Sequence, residues 1–285
     1  MRRLVRPVAL LAFVWAQAAV APASAGDQGT IDVIILASQD APSVATEVAS
    51  RGARVGHVYR HVPAIAARIA AQDLGAIKAL AGVASVEKDV PVYLSDEPTR
   101  GRDRLAASFA VEAAALQTSA LDVRSAPLRP NTYVNYILAG ATAVWTDTAF
   151  GDGSIVAVVD TGTHPVEPCL SAGQVIGAPG FPNGFDAVGD NPADAPDNNA
   201  HGTWVGNVIA AQCSLATPET SALAGAIAAH APGLLYAIEP GYVGFDLLGV
   251  APFAKIYPVK VFKKSGGGTA TSTILTGLDH VLELK

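Results

Sequence analysis

The stretch Ile155-Val156-Ala157-Val158-Val159 constrains the fold of this chain more than any other. Five consecutive apolar residues, four of them β-branched, enter from a Gly151-Asp152-Gly153 turn and stop at Asp160-Thr161-Gly162. A run without polar alternation is buried on both faces, the condition of a strand inside a parallel sheet covered by helices. Ala254 to Phe262 predicts a second such strand. Ala141 to Trp145, His201 to about Gln212, and a stretch with Ile274, Leu275, Leu278, Val281 and Leu282 on one face predict helices to cover the sheet. The back of the chain therefore reads as α/β. Gly151-x-Gly153 precedes its strand instead of following it, so it is not a phosphate-binding loop.

The front of the chain follows a different order. Ile31 to Leu36 is a β-rich apolar run, Ala41 to Arg51 a helical stretch, and Ala53 to His61 and Ala64 to Ile69 alternate as half-buried strands. Asp73 is placed to cap a short helix carrying Leu74, Ile77 and Leu80, which Gly82 stops, and Val83 to Val90 closes the unit. A β-α-β-β-α-β order is the split-βαβ, ferredoxin-like α+β sandwich, which by itself names no function. Between the two parts, residues 95–130 form a charged, then Ala-rich, then Pro-containing linker, with one helix expected around Leu105 to Leu116.

Composition removes several classes of function. The 285 residues are 50% hydrophobic and 15% charged, which excludes a disordered chain, and a net charge of −6 argues against a nucleic-acid partner. Arg2, Arg3 and Arg6, the apolar run Val8 to Val20 and Ala23-Ser24-Ala25 make the three parts of a secretory signal peptide over residues 1–25. The expected product is secreted, extracellular or periplasmic, with no membrane partner after signal cleavage. Cys169 and Cys213 leave three readings open: a disulfide, two buried small hydrophobes, or pairing with cysteines elsewhere. No His-Glu-x-x-His or Cys-x-x-Cys occurs, and His57, His61, His164, His230 and His280 lack ligand spacing and read as surface or packing residues.

Few residues are placed to carry chemistry. Asp160 ends a buried strand, where open α/β sheets set their functional groups, although a turn or cap role would account for it alone. His201 opens a helix in His201-Gly202-Thr203, and a lone histidine there is as readily structural. Paired, they say more, because a carboxylate on one imidazole nitrogen leaves the other as a general base.

Val158-Val159-Asp160-Thr161-Gly162, Asn199-Ala200-His201-Gly202-Thr203 and Gly249-Val250-Ala251-Pro252 with Ile256-Tyr257-Pro258-Val259-Lys260-Val261 together resemble the subtilisin-like serine proteases, the subtilases or peptidase S8 family. The resemblance implies an inhibitor I9-type propeptide over residues 30–94. The N-terminal half of a subtilisin-like parallel-sheet α/β domain would follow over 131–285. It implies a secreted endopeptidase precursor acting on protein or peptide substrates, with Asp160 as the relay carboxylate and His201 as the general base. The propeptide would bind the catalytic domain intramolecularly until it is cut away between Val92 and Asn131. No cofactor and no catalytic metal are expected. Asp190, Asp194 and Asp197 read as a solvated acidic loop, with a structural calcium site as the alternative.

The sequence departs from the family pattern at several points. The nucleophile's Gly-Thr-Ser-x-Ala motif does not occur, and Thr220-Ser221-Ala222 is a decoy: it lacks the leading glycine and precedes Gly249. The serine and the oxyanion Asn are expected beyond Lys285, so this chain reads as the truncated, inactive front of a protease. A propeptide-type inhibitor and a catalytically dead subtilase-like module are the alternatives. Trp204 stands where many members have a second histidine. Asn207 replaces a glycine and is expected to loosen the packing beneath His201. Ser214 to Leu248 reads as a surface insertion.

Overall fold

The computed structural model describes residues 29–94, 117–120, 133–134, 141–165, 167–189, 194–263 and 268–285. The signal segment, the expected helix at 105–116 and Asp190 lie outside the described residues.

The front unit has the expected sandwich. Strands β1 (Thr30–Ala37), β2 (Arg54–Val58), β3 (Ala64–Ala70) and β4 (Val83–Lys88) form one antiparallel sheet in the order β2-β3-β1-β4. Helices α1 (Ala41–Ser50) and α2 (Leu74–Lys78) cover one face, and Val33, Ile35, Val44, Val48, Ile65, Ile69 and Ile77 fill the space between. Asp40 caps α1 by accepting from the Ser43 N–H at 3.0 Å. Asp73 makes no such bond. A short 3-10 turn over Ala71–Asp73 leads straight into α2, which leaves Asp73 with helical backbone instead of the extended backbone of a cap.

The back unit holds two sheets. In the first, β8 (Ile155–Asp160) and β9 (Phe185–Asp186) each pair in parallel with β13 (Lys255–Lys260), giving the order β8-β13-β9. Helix α4 (His201–Ala210) packs on one face through Val158, Leu170, Ala210 and Ile256, and α6 (Thr271–Glu283) packs on the other through Val259, Val261, Ile274 and Val281.

The second sheet corrects the reading of Ser214 to Leu248 as a surface insertion. Strand β10 (Gln212–Pro218) pairs antiparallel with β12 (Tyr242–Leu248), which also carries β11 (Tyr236–Glu239) and, in parallel, β7 (Tyr133–Val134). Leu215 and Phe245 pack with Cys213, Ala211 and Cys169 in a cluster of their own, under Leu223 and Ile227 of α5 (Ala222–His230). This much buried apolar surface makes the segment a small core. Its outer edge is β6 (Gln117–Ala120), a strand within the segment read as a linker. Helix α3 (Ala141–Thr148) anchors nearby through Trp145, whose indole N–H donates to the Val250 carbonyl at 2.8 Å.

The front sheet docks on α6. Tyr59 donates its hydroxyl to the Ser272 carbonyl, Asp89 accepts from the Ser272 N–H and hydroxyl, and Asp279 accepts the backbone N–H groups of Arg60 and His61. Arg60 also pairs with Glu283. Burial pushes the Tyr59 phenol up to about 12, so it remains a donor through the neutral range. Beyond the sheet, β5 (Pro91–Val92) pairs antiparallel with β14 (Thr269–Ala270), and the Tyr93 ring lies over Gly268 so closely that a Cβ there would sit 2.6 Å from it.

Candidate active site

Asp160 and His201 meet at the C-terminal end of the parallel sheet. Strand β8 delivers the carboxylate and the first residue of α4 delivers the imidazole. His201 Nδ1 lies 2.8 Å from Asp160 Oδ1 and 2.9 Å from Oδ2. An ionised carboxylate only accepts, so the contact selects the neutral tautomer with the proton on Nδ1, the one in which Nε2 has the lone pair. Nε2 makes no hydrogen bond among the described residues. The His201 side chain is 27% exposed against 8% for that of Asp160, so the imidazole borders solvent and the carboxylate does not. The Thr161 N–H also donates to Asp160 Oδ1, a second hold on the carboxylate.

Two glycines make this approach feasible. A Cβ on Gly202 would overlap the Gly162 carbonyl oxygen and lie 3.2 Å from Asp160 Oδ1. Gly162 is itself wedged at φ +104°, where a Cβ would come within 2.5 Å of the Ala195 carbonyl. Ala200, the residue before the helix, sits at φ 77°, a left-handed conformation costing about 1 kcal/mol for a residue with a Cβ.

Asp197 is placed otherwise than the sequence predicts. It does not lie in solvent: its Oδ1 accepts from the Thr161 hydroxyl, Asn199 N–H and Ala200 N–H, and its Oδ2 from the Thr203 N–H and hydroxyl, all at 2.6–2.9 Å. Burial works to raise its pKa, but the bonds from Thr203, Asn199 and Ala200 outweigh it and hold the carboxyl below its ordinary value. The signal for this role was Ala200: a helix starting at His201 has no side-chain cap at Ala200, so its first N–H groups need an acceptor from further back. Asp194 and Asp197 belong to no group of three or more metal-ligating side chains among the described residues.

Other expectations resolve as follows. Asn207 is held in place, its amide donating to the Thr203 carbonyl at 3.0 Å, while its buried Oδ1 has no partner. Trp204 is 64% exposed, its ring 6.1 Å from that of His201. Ser221 caps α5 by accepting from the Ala224 N–H and receives the Thr217 hydroxyl. Both bonds are structural. Cys169 and Cys213 form a disulfide, which joins the loop after β8 to the strand after α4. Lys260, quoted in a sequence motif but given no role there, is 1% exposed and in register with both Asp160 and Asp186 at this sheet end. His280 packs between Tyr257 and Phe185, and burial lowers its pKa.

These lowered values set the acid behaviour. His280 is held neutral in the fold, so its contribution is complete above 6.5 and is lost as pH falls through its folded value. Asp197, and Asp32 beside Arg68, contribute above about 3.8 and lose that contribution below it. Urea midpoints should therefore fall in two stages, the first as pH drops below 6.5 and the second below 3.8, and His280→Gln should flatten the first stage. A midpoint that rises from pH 7.5 to 5.5 would refute this.

Residues 151–280 match the subtilase family and residues 28–95 match peptidase inhibitor I9. Thermitase of Thermoactinomyces vulgaris is 32% identical over 143 residues, which cover 50% of this chain and 38% of the relative. A thermophilic serine proteinase of Bacillus sp. (strain AK1) is 33% identical over 139 residues, 49% of this chain and 24% of its own. The matches therefore span well under half of these relatives' lengths. Among solved structures, fervidolysin from Fervidobacterium pennivorans, a keratinolytic enzyme related to subtilisin, overlays 91% of this chain and 35% of its own, at 19% identity and a TM-score of 0.48.

Proposed function

We propose that this chain is a subtilase with a peptidase inhibitor I9 domain ahead of the subtilase region, the premise resting on the matches over residues 151–280 and 28–95, and that it is the front of a secreted serine endopeptidase precursor. The observation that carries the reading is the contact of His201 Nδ1 with both Asp160 oxygens at a parallel-sheet end, with Nε2 left open. In the proposed reaction His201 Nε2 takes the proton of a serine hydroxyl as that oxygen attacks the peptide carbonyl. It then returns the proton to the leaving amine, while Asp160 stabilises the imidazolium and holds its orientation. Residues 1–285 contain no Gly-Thr-Ser-x-Ala motif, so the proposal places the nucleophile and the oxyanion Asn outside them.

The inhibitor domain is proposed to act on its own chain. Support comes from Pro91-Val92, which pairs as a strand with Thr269-Ala270, and from Val92 and Leu94, which pack beside Tyr257 and Val259. A peptide substrate would compete for that strand edge. Export through the segment 1–25 would place the product outside the cytoplasm. Among the described residues no helix is long and apolar enough to cross a membrane.

The test is to read the coding frame past the Lys285 codon and express what it encodes alongside residues 1–285. The product with a Gly-Thr-Ser-x-Ala serine is expected to hydrolyse a peptide substrate, and residues 1–285 alone to show none above background. In subtilisin, removing the serine or the histidine alone costs about 2 × 10⁶ in kcat and removing the aspartate about 3 × 10⁴. His201→Ala and Asp160→Ala should show losses of that order here. Hydrolysis by residues 1–285 that survives His201→Ala would overturn the reading.

A further inference from the structure

The Asp197 carboxylate touches neither Asp160 nor His201, yet its five hydrogen bonds reach the segments carrying both. On the β8 side it accepts from the Thr161 hydroxyl at 2.9 Å, and Thr161 in turn holds Asp160 Oδ1 through its own N–H at 2.6 Å. On the α4 side it accepts from the N–H groups of Asn199, Ala200 and Thr203 and from the Thr203 hydroxyl, which surround His201 in the chain. Two cross-links close the ring. The Gly202 N–H donates to Thr161 Oγ1 at 2.8 Å, and the His164 N–H donates to Thr203 Oγ1 at 3.0 Å.

Resting on the reading of Asp160 and His201 as the acid–base pair, we propose that Asp197 is the positioning residue that locks the β8 end to the first turn of α4, so that the imidazole meets Asp160 through Nδ1.

Three physical points support the assignment. Ala200 has no side chain with which to cap α4, and the Asp197 oxygens take over its orphaned donors. All five of its partners donate, so only a group with two accepting oxygens satisfies them. Asparagine, of the same shape, would turn one oxygen into a donor facing donors. The left-handed backbone at Ala200 turns the chain so that His201 is the first helical residue, and the bond from the Ala200 N–H to Asp197 stabilises that strained conformation. A helix cap alone would require none of the link through Thr161.

The test reads the imidazole and not only stability. In the folded chain with ¹⁵N-labelled histidine, the His201 ring signals, assigned with His201→Gln, should report the Nδ1–H tautomer and a slowly exchanging Nδ1 proton. Asp197→Asn is expected to speed exchange of that proton roughly tenfold and to admit the Nε2–H tautomer, because a charge-assisted network is replaced by mismatched donors. Thr203→Ser, which keeps the hydroxyl and the N–H, should retain the wild-type signals. Should Asp197→Asn fail to fold, Thr161→Val carries the test: it removes the bridge to the Asp160 side together with the acceptor of the Gly202 N–H, leaves the four Asp197 bonds to Asn199, Ala200 and Thr203 in place, and is expected to move the same signals. A folded Asp197→Asn or Thr161→Val protein with wild-type tautomer and exchange overturns the proposal and leaves Asp197 a helix cap. Asp160→Asn separates the two ideas. If it too leaves His201 unchanged, the acid–base pair itself fails; if it alone shifts His201, only the positioning role fails.

Discussion

Gly202→Ala is expected to separate Asp160 from His201 and to cost about 3 kcal/mol or more of stability, the upper range for an overpacked interior site. The added methyl would overlap the Gly162 carbonyl oxygen. Gly162 itself, at φ +104°, runs so close to the Ala195 and Pro196 carbonyls that a Cβ of its own would lie within 2.7 Å of both oxygens, so this loop has little room to shift. The helix must give instead, and α4 carries His201 with it. In the longer product of the proposed function, a displacement on the order of 1 Å at the proposed base would lower turnover by roughly 10². Gly206→Ala, four residues along the same helix, is the matched control. Its methyl would meet Thr163 Cγ2 at 3.6 Å and Leu170 Cδ1 at 3.9 Å, ordinary contacts. The change should be neutral or stabilising by up to about 1 kcal/mol, since alanine favours helix over glycine. Urea unfolding of the two variants, with the His201 ring signals as a second readout, decides the matter: equal stability of Gly202→Ala and wild type would show that the close approach is not rigid.

Loss of the Cys169–Cys213 bridge is the second large effect. The two cysteines are 44 residues apart in sequence, and releasing a loop of that size returns about 4 kcal/mol of chain entropy to the unfolded state. Against the 5–15 kcal/mol typical of a whole domain, that is a large share. The bridge starts in the loop after β8 and ends at Cys213, three residues after α4, so it encloses the segment holding Asp197 and His201. The Gln212 N–H donates to the Cys169 carbonyl alongside it, which extends the attachment. Cys169→Ala with Cys213→Ala should lower the urea midpoint accordingly, and reduction of the wild type under denaturing conditions should match the double variant. A loss under about 1 kcal/mol would mean that the loop is already constrained in the unfolded chain.

Much of this protein follows from short-range rules that need no partner in space. An unbroken apolar run forms a strand buried on both faces, so Ile155 to Val159 and Ala254 to Phe262 predict the parallel pair β8 and β13 that the structure contains. Alternation and turn residues likewise place the four strands of the front sheet, with its two helices. The motifs around Asp160 and His201 single out two residues that the structure brings within hydrogen-bonding distance across 41 positions of chain.

What the sequence left open or misread depends on groups that come together only after the sheets pack. Asp197 resembles any acidic loop residue until Thr161, from a strand end 36 residues earlier, turns its hydroxyl to it. Ser214 to Leu248 looks like an insertion until β10 and β12 pair and Leu215 and Phe245 find Cys169 beneath them. The cysteines could have stood apart, and the cap expected from Asp73 lost to a 3-10 turn. The physical division is between propensity and satisfaction. Apolar pattern and backbone preference act within a few residues and are legible in order along the chain, so the sequence by itself determined the elements and singled out Asp160 and His201, the pair proposed to act as acid and base. Whether a buried carboxylate, thiol or backbone N–H finds its partner depends on which distant segment arrives beside it, and only the tertiary structure decided that.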